Sequence, residues 1–574
     1  MRGSHDGSWE TAHDLRDHKP FPAPTGNVEH YDLVIVGAGI SGLAAAYFYR
    51  QQADKNARIL LLDNHDDFGG HAKRNEFQAG GKTLIGYGGT QSLEAPRNYG
   101  KISKTVLREL GVDVHRFYRY YDQKLFDRRH LSEAVFFDKE TFGSDRLVRE
   151  RALHFFRMEF AFENVAQFPI AEEARKDLRR LQKDKVDYLP GLAPEQKRLK
   201  LIKTSYKDFL TQYVKVHPDV LKILQPATHD VFAVGIDAVS ANDCAREGFP
   251  GFEGMTLPKD KGENPELDEP YIFHFPDGNA TIARLLVRSL IPGSIPGHTM
   301  EDIVTARTDY SRLDDDSSPI RVRLSSTAIK ATNVGDPASA KEVEVIYMRG
   351  VGAHKVRASH CILACYNMII PYICPEMTKQ QRDALCYCVK MPLVYTNVQI
   401  ANSHALQNLG VSSIYAPGSY FSHATLDFPV SLGNYHYPAS PDDSCLLHLL
   451  RVPCDPGQPC KDQYRTGRYE LYATEFSTFE QNVKQQLGRM LSAGGFDPER
   501  DIQAITVNRW PHGYSYEYNE LFEPIGRPDS ERPCVIGRQP FGRIKIANCD
   551  SDGHAYTDTA IDQAHRAVQE ILKG

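Results

Sequence analysis

Asp32-Leu33-Val34-Ile35-Val36-Gly37-Ala38-Gly39-Ile40-Ser41-Gly42, followed by Arg58-Ile59-Leu60-Leu61-Leu62-Asp63, is the stretch on which the fold turns. Leu33 to Val36 is an unbroken apolar run, as expected of a parallel strand buried on both faces. Gly37 permits a tight turn, Gly39 lets backbone amides approach a pyrophosphate, and Gly42 lets the next helix pack closely on the strand. Ile40 and Ser41 fill the turn, and the helix that runs on from Leu43 to Arg50 aims its positive N-terminus at the phosphates. Asp63 ends the second strand, twenty-one positions past Gly42. There its carboxylate accepts hydrogen bonds from ribose hydroxyls and repels a 2′-phosphate. Strand, glycines, helix and acid stand in the required order, so the reading is a Rossmann-like α/β dinucleotide-binding domain.

Outward from this unit, 574 residues exceed what one core accommodates, and two domains are expected. Residues 1–30 are polar and read as an N-terminal arm. Residues 31–135 form the first part of the dinucleotide domain, with glycine-rich loops over 68–100. Helical periodicity dominates 102–225, including Lys203 to Leu224, and 136–270 is assigned to a substrate domain, with a turn-rich stretch from Pro258 to Pro270. Residues 271–375 return to the dinucleotide domain through a helix from Thr281 and strands at 320–324, 342–348 and 360–364. Residues 376–505, with a long helix near Tyr469 to Leu491, complete the substrate domain, and 506–574 close the first domain. The fold class is therefore a discontinuous Rossmann-like domain with an inserted α+β substrate domain.

The net charge is −6, from 68 basic and 74 acidic side chains without long runs of one sign. This argues against nucleic acid as a partner. The longest apolar runs, such as Ile35 to Tyr49, are short and interrupted, so no membrane span is expected. No signal peptide is read at Met1. The eleven cysteines are mostly isolated; Cys454 and Cys460 flank a turn-rich loop and could be bridged or free. No Cys-x-x-Cys-His occurs, which removes covalent c-type haem, and no zinc-finger spacing is present.

The second set of signals concerns which dinucleotide is bound. Asp67-Phe68-Gly69-Gly70-His71 follows Asp63, and Gly86-Tyr87-Gly88-Gly89-Thr90-Gln91 follows that. This order resembles the amine-oxidase-like flavoproteins, where a Gly-Gly-basic turn lies on the FAD pyrophosphate. His71 stands where that family usually has Arg, leaving His71, Lys73 and Arg74 as candidates for the phosphate. Ile544 to Asp550, with the helix after it, resembles the acid and helix that close the flavin site in the same family. No Cys or His stands where the matched motifs attach flavin, so FAD is expected to be non-covalent.

Asp63 to Phe77, Gly88-Gly-Thr-Gln-Ser92, Trp510-Pro-His-Gly-Tyr514 and the N-terminal segments around His5 and His13 resemble the bacterial spermidine dehydrogenases. That resemblance implies FAD, a non-covalent b-type haem, spermidine as substrate, a homodimer, an external electron acceptor and export to the periplasm, with the cytoplasm as the alternative. His13 is the first candidate haem ligand, ahead of His71 and His423. Carboxylates suit the terminal ammonium groups and aromatic walls suit an uncharged central nitrogen. Glu94, Asp427, Glu517 and Glu520 are the candidate acids, and Trp510 and Tyr514, in a turn set by Pro511 and Gly513, are the candidate catalytic wall, with Tyr516 beside them. The competing expectations are a haem-free FAD amine or amino-acid oxidase that uses oxygen, a carotenoid-desaturase-like enzyme with an apolar tunnel, and a non-catalytic flavoprotein electron carrier.

Overall fold

Strand Glu29–Val36 splits its side chains between two faces, as a period of two requires. Leu33 and Ile35, with Ile59 and Leu61 of strand Ile59–Leu62, pack against helices Ile40–Gln52, Ala280–Leu290 and Thr557–Lys573. Val34, Val36, Leu60 and Leu62 enter a second core with Val343, Val345, Val356 and Leu385. With both faces covered, the run has no polar alternation to show. These relationships are those of a computed structural model, which describes residues 1–150, 153–154, 159–160, 162–258 and 269–573.

The sheet containing this strand runs Ile320–Arg323, Ile59–Leu62, Glu29–Val36, Gly352–Leu363, Val343–Arg349, Ser326–Asn333. The first four are parallel, and the last two turn back as an antiparallel meander. Ile544–Ile546 joins in parallel beside Cys361 to Leu363. The chain thus leaves this sheet and returns to it twice, and the parallel strands end together at one edge.

The second sheet has eight strands, in the order Arg2–Gly3, Ile502–Tyr514, Met391–Ile400, Cys445–Arg451, His423–Leu426, Val411–Tyr415, Ser132–Phe137, Arg146–Glu150. Alternation again divides its faces. Leu393 and Tyr395 meet the helical residues 165–255, whereas Val394, Val398 and Val507 meet helix Phe476–Leu491.

Several sequence expectations change here. Residues 68–100 contain a hairpin, Arg74–Ala79 with Lys82–Tyr87, turning on Gly80 and Gly81 at φ 54° and 81°. The helical stretch 102–225 contains two strands of the second sheet, Ser132–Phe137 and Arg146–Glu150. The expected boundaries at 135 and 505 fall inside strands Ser132–Phe137 and Ile502–Tyr514. The expected helix from Lys203 to Leu224 is broken: Lys215 takes φ 60° and Pro218 begins a separate helix, Pro218–Leu224. Proline lacks the donor to continue a helix and forces the residue before it out of the α region. The helix near Tyr469 to Leu491 is two helices, Cys460–Ala473 and Phe476–Leu491, parted at Thr474, whose hydroxyl donates to the Glu470 carbonyl. All eleven cysteines are free, Cys454 and Cys460 included. The turn expected from Pro258 to Pro270 lies mostly outside the described residues.

The N-terminal arm is anchored. Arg2 and Gly3 pair in parallel with Asn508 and Arg509, Arg2 meets Asp66 and Asp67, and Asn64 donates to the Ser8 carbonyl. Helix Glu10–Arg16 follows.

Candidate cofactor and substrate cavity

A cavity of about 670 Å³ runs between the ends of the parallel strands and the second sheet. Val36, Gly37, Gly39, Ile40, Ser41, Leu62, Asp63, Gly70 and His71 line one part of it. Gly37 has φ 109°, and a side chain there would run into the Ala364 carbonyl; one on Gly42 would overlap the Gly37 carbonyl oxygen. These two glycines make the turn, whereas a Cβ on Gly39 would sit 3.6 Å from Gly70 Cα, an ordinary contact. Gly39 therefore faces the cavity, and Gly42 supports it from beneath. Asp63 accepts from the amides of Ala38 at 2.7 Å and His65 at 2.9 Å. Burial raises its pKa.

The buried Ser41 hydroxyl, in the first turn of helix Ile40–Gln52, has no hydrogen-bond partner among the described residues. An orphaned hydroxyl beside open amides at a helix N-terminus is the donor set an anionic diphosphate requires. Of the three basic candidates, only His71 lines the cavity. Lys73 is buried with its ammonium on the Asp67 carbonyl, and Arg74 pairs with Asp277 at 2.9 Å. Burial, first, and Lys390 push the His71 imidazole down to about 3. It meets a ligand as a neutral ring.

Gly89 and Thr90 line the cavity, but Gly88 does not. Gly88 packs against the side chains of Asn75 and Asn508, leaving no room for a Cβ. Asp550 lines the wall together with Tyr556 and Thr557, where helix Thr557–Lys573 begins. Its carboxylate holds Lys390 at 2.6 Å, the Ser515 hydroxyl at 2.7 Å and the Asn367 amide at 3.1 Å. Burial works against ionisation, but Lys390 and the hydrogen bonds prevail and lower its pKa.

Trp510 and Tyr514 both reach the cavity, but from a strand. Ile502–Tyr514 is a single strand whose register against Met391–Ile400 shifts in a bulge over 511–513, and Gly513 is required because a Cβ would overlap Leu393 of the neighbouring strand. The expected turn at Pro511 and Gly513 is thus corrected. Trp510 is 1% exposed and its indole donates to the Gly88 carbonyl at 2.7 Å. The Tyr514 and Tyr395 hydroxyls bond at 2.5 Å. Tyr516 is core, its hydroxyl on Glu523 at 2.6 Å.

Beyond Trp510 and Tyr514 the lining turns acidic, with Glu94, Asp230 and Glu517 among Tyr271, Tyr395 and Tyr556. Burial, reinforced by Asp230, Glu247 and Glu517, pushes Glu94 up to about 7, and burial alone pushes Asp230 up to about 6. Asp230 escaped the sequence reading because no motif marks it. Two other candidate acids fall elsewhere. Asp427 is buried behind the cavity wall, accepting the Phe428 amide, and Glu520 is held by Ser240 and Asn242.

On the other side of His71 the cavity is basic and aromatic. Tyr366 stacks on His512 at 4.9 Å, and Trp9, His13 and Tyr472 form a triangle with centroids 4.6–4.8 Å apart. Arg16, Arg465 and Arg468 stand at this end. The His13 imidazole makes no hydrogen bond among the described residues, and burial lowers its pKa. His423 lies outside the cavity, bonded to the Ser422 hydroxyl. No group of three or more His, Cys, Asp or Glu residues suited to a metal ion occurs among the described residues, nor does a helix long and apolar enough to cross a membrane.

Residues 35–110 match the model of the NAD(P)-binding Rossmann-like domain. No curated protein sequence matches the chain. Among solved structures, wild-type putrescine oxidase bound to putrescine is similar with a TM-score of 0.54 at 14% identity, covering 96% of this chain and all of that one. A putative protoporphyrinogen oxidase from Exiguobacterium gives 0.57 at 14% identity, with 96% and 100% covered. Cyclohexylamine oxidase from Brevibacterium oxydans gives 0.51 at 14% identity, with 95% and 99% covered. The fold is the Rossmann-like, two-sheet fold of these oxidases.

Proposed function

We propose that the chain is an FAD-dependent amine oxidoreductase acting on a polyamine, spermidine, to give 1,3-diaminopropane and 4-aminobutanal. One observation carries this reading: a single cavity joins the dinucleotide cradle to an aromatic chamber lined by three carboxylates and, among its described lining residues, no cation on that side of Trp510. The fold shared with putrescine oxidase and cyclohexylamine oxidase supports it.

The residues fit FAD. Gly37, Gly39, Ile40, Ser41 and Gly70 form the pyrophosphate cradle, with the unpartnered Ser41 hydroxyl as a donor. Asp63 would hold the ribose, and the start of helix Thr557–Lys573, which also lines the cavity, would stabilise negative charge on the ring. When bound, FAD supplies the oxidant, accepting a hydride from the carbon beside an uncharged amine nitrogen. Glu94 and Glu517 hold distal ammonium groups. Trp510 and Tyr514 wall the reacting carbon and keep water from it, and the released imine is hydrolysed by water.

The basic end of the cavity fits a planar anionic group, and with it the haem of the resemblance. His13 would hold the haem through a neutral imidazole nitrogen, with Trp9 and Tyr472 beside it and Arg16, Arg465 and Arg468 able to pair with its carboxylates. A homodimer, a periplasmic location and an external acceptor rest on the resemblance alone.

Anaerobic addition of spermidine to the FAD-loaded protein tests the reading. Bleaching of the flavin by spermidine and not by simple monoamines is expected, and no bleaching by any amine overturns it. A Soret band that is lost in His13→Ala, with flavin retained, is expected if haem occupies the basic end. Its absence from protein made with ample haem leaves a haem-free oxidase.

A further inference from the structure

We infer that Asp230 is the catalytic proton acceptor of the acidic chamber, taking the proton from the nitrogen that is to be oxidised. This rests on the amine-oxidation reading above.

The need for such a group follows from chemistry. An alkylammonium has no lone pair on nitrogen to support loss of hydride from the adjacent carbon. A polyamine enters a carboxylate-lined chamber as its ammonium form, since acids favour the charged state of a bound amine. One proton must therefore pass from nitrogen to a group in the chamber before the bound flavin accepts the hydride. In this step the N–H bond breaks, an O–H bond forms on the carboxylate, and the electron pair stays on nitrogen. The later hydride loss reduces the flavin and oxidises the amine to an imine.

The chamber offers few acceptors. His71 and His512 lie on the other side of Trp510, and burial pushes both imidazoles far down. Tyr271, Tyr395, Tyr514 and Tyr556 are all raised by burial and are phenols at any working pH, so they donate. Glu517 is held by the Ala555 amide at 3.1 Å and acts on neither Tyr395 nor Tyr514. That leaves Glu94 and Asp230, neither with a hydrogen-bond or ion-pair partner among the described residues.

Their positions separate them. Asp230 is the carboxylate that acts on both Tyr395 and Tyr514, the hydroxyl pair next to Trp510. Glu94 acts on Tyr99, Tyr271 and Tyr556, the last two of which Asp230 also reaches, but on neither hydroxyl of the Tyr395–Tyr514 pair. Asp230 thus serves the reacting end and Glu94 the distal end. The groups facing Asp230 are Tyr87 and Glu94 from the hairpin and the loop after it, Tyr271, Tyr395, Tyr514 and Tyr556; none is a cation. A carboxyl raised to about 6 by burial is ionised at neutral pH and still basic enough to keep a proton briefly.

The test is the rate of anaerobic flavin reduction by spermidine against pH, in wild type, Asp230→Asn and Asp230→Glu. Asp230 makes no hydrogen bond that its amide would break, so flavin content and melting temperature report that each variant is folded. Wild type should rise through pH 6 and level off. Asp230→Asn should be slower by roughly 10²–10⁴-fold at neutral pH, with a rate that climbs about tenfold per pH unit toward the amine's own pKa, because only free amine can react. Asp230→Glu should restore part of the rate and the plateau. Equal rates and profiles in wild type and Asp230→Asn overturn the assignment of Asp230 alone. A wild-type flavin that no amine reduces overturns the amine reading, and this inference with it.

Discussion

Lys390 and Asp550 form a 2.6 Å ion pair at the cavity wall, with side chains only 5% and 3% exposed. Removing one partner of such a pair leaves a buried charge and costs about 3–5 kcal/mol. Lys390→Met should therefore lower stability by that order in chemical denaturation, and Lys390→Met with Asp550→Leu should recover part of it. A single variant as stable as wild type would show that Ser515 and Asn367 alone satisfy Asp550.

The two glycines of the dinucleotide turn should fail differently. Gly42→Ala drives a Cβ into the Gly37 carbonyl and should unfold or misplace the turn, with a lower melting temperature. Gly39→Ala makes only ordinary contacts, with Gly70 at 3.6 Å and the Gly69 carbonyl at 3.9 Å, and should stay folded while losing flavin affinity. Far-UV circular dichroism and bound-flavin ratios separate the two outcomes.

Trp510 is a structural residue as much as a wall. Trp510→Phe orphans the buried Gly88 carbonyl and should cost about 1–3 kcal/mol, so its melting temperature falls together with activity. Tyr514→Phe keeps its ring and loses only the 2.5 Å bond to Tyr395. Its stability should change by about 1 kcal/mol or less, with the effect concentrated in amine-driven flavin reduction.

Acid should loosen the start of strand Glu29–Val36, where Glu29 meets Arg321 and Arg323. Burial raises this carboxyl, but Arg323, Tyr31 and Arg321 outweigh burial and bring it down to about 2 from the usual 4.5. A depressed folded-state pKa contributes stability above the unfolded value and loses it as pH falls. The contribution of Glu29 should be complete above pH 4.5 and decay toward pH 2. Glu29→Gln should flatten that window in a plot of unfolding free energy against pH.

Much of the dinucleotide end was legible because its determinants are local. Gly37, Gly39 and Gly42 act on the turn they occupy, and the acid ends the next strand by simple counting. The terminal helix was legible for the same reason: of the stripe Ala560, Ile561, Ala564, Ala567, Val568, Ile571 and Leu572, all but the exposed Leu572 are buried together. The hairpin of residues 74–87 and strands Ser132–Phe137 and Arg146–Glu150 were missed. Their pairing partners, rather than their own propensity, make them strands.

The sequence by itself determined the parallel strand, the glycine turn and the acid that closes it, since backbone sterics and nearest-neighbour burial suffice to specify them. Only the tertiary structure decided that Trp510 and Tyr514 sit on a strand facing the cradle, that Gly88 turns away while Gly89 does not, and that Glu94, Asp230 and Glu517 share one chamber while Asp427 and Glu520 stay outside it. Those side chains are separated by tens to hundreds of residues along the chain. Their meeting depends on how two sheets pack, and no local periodicity records that packing.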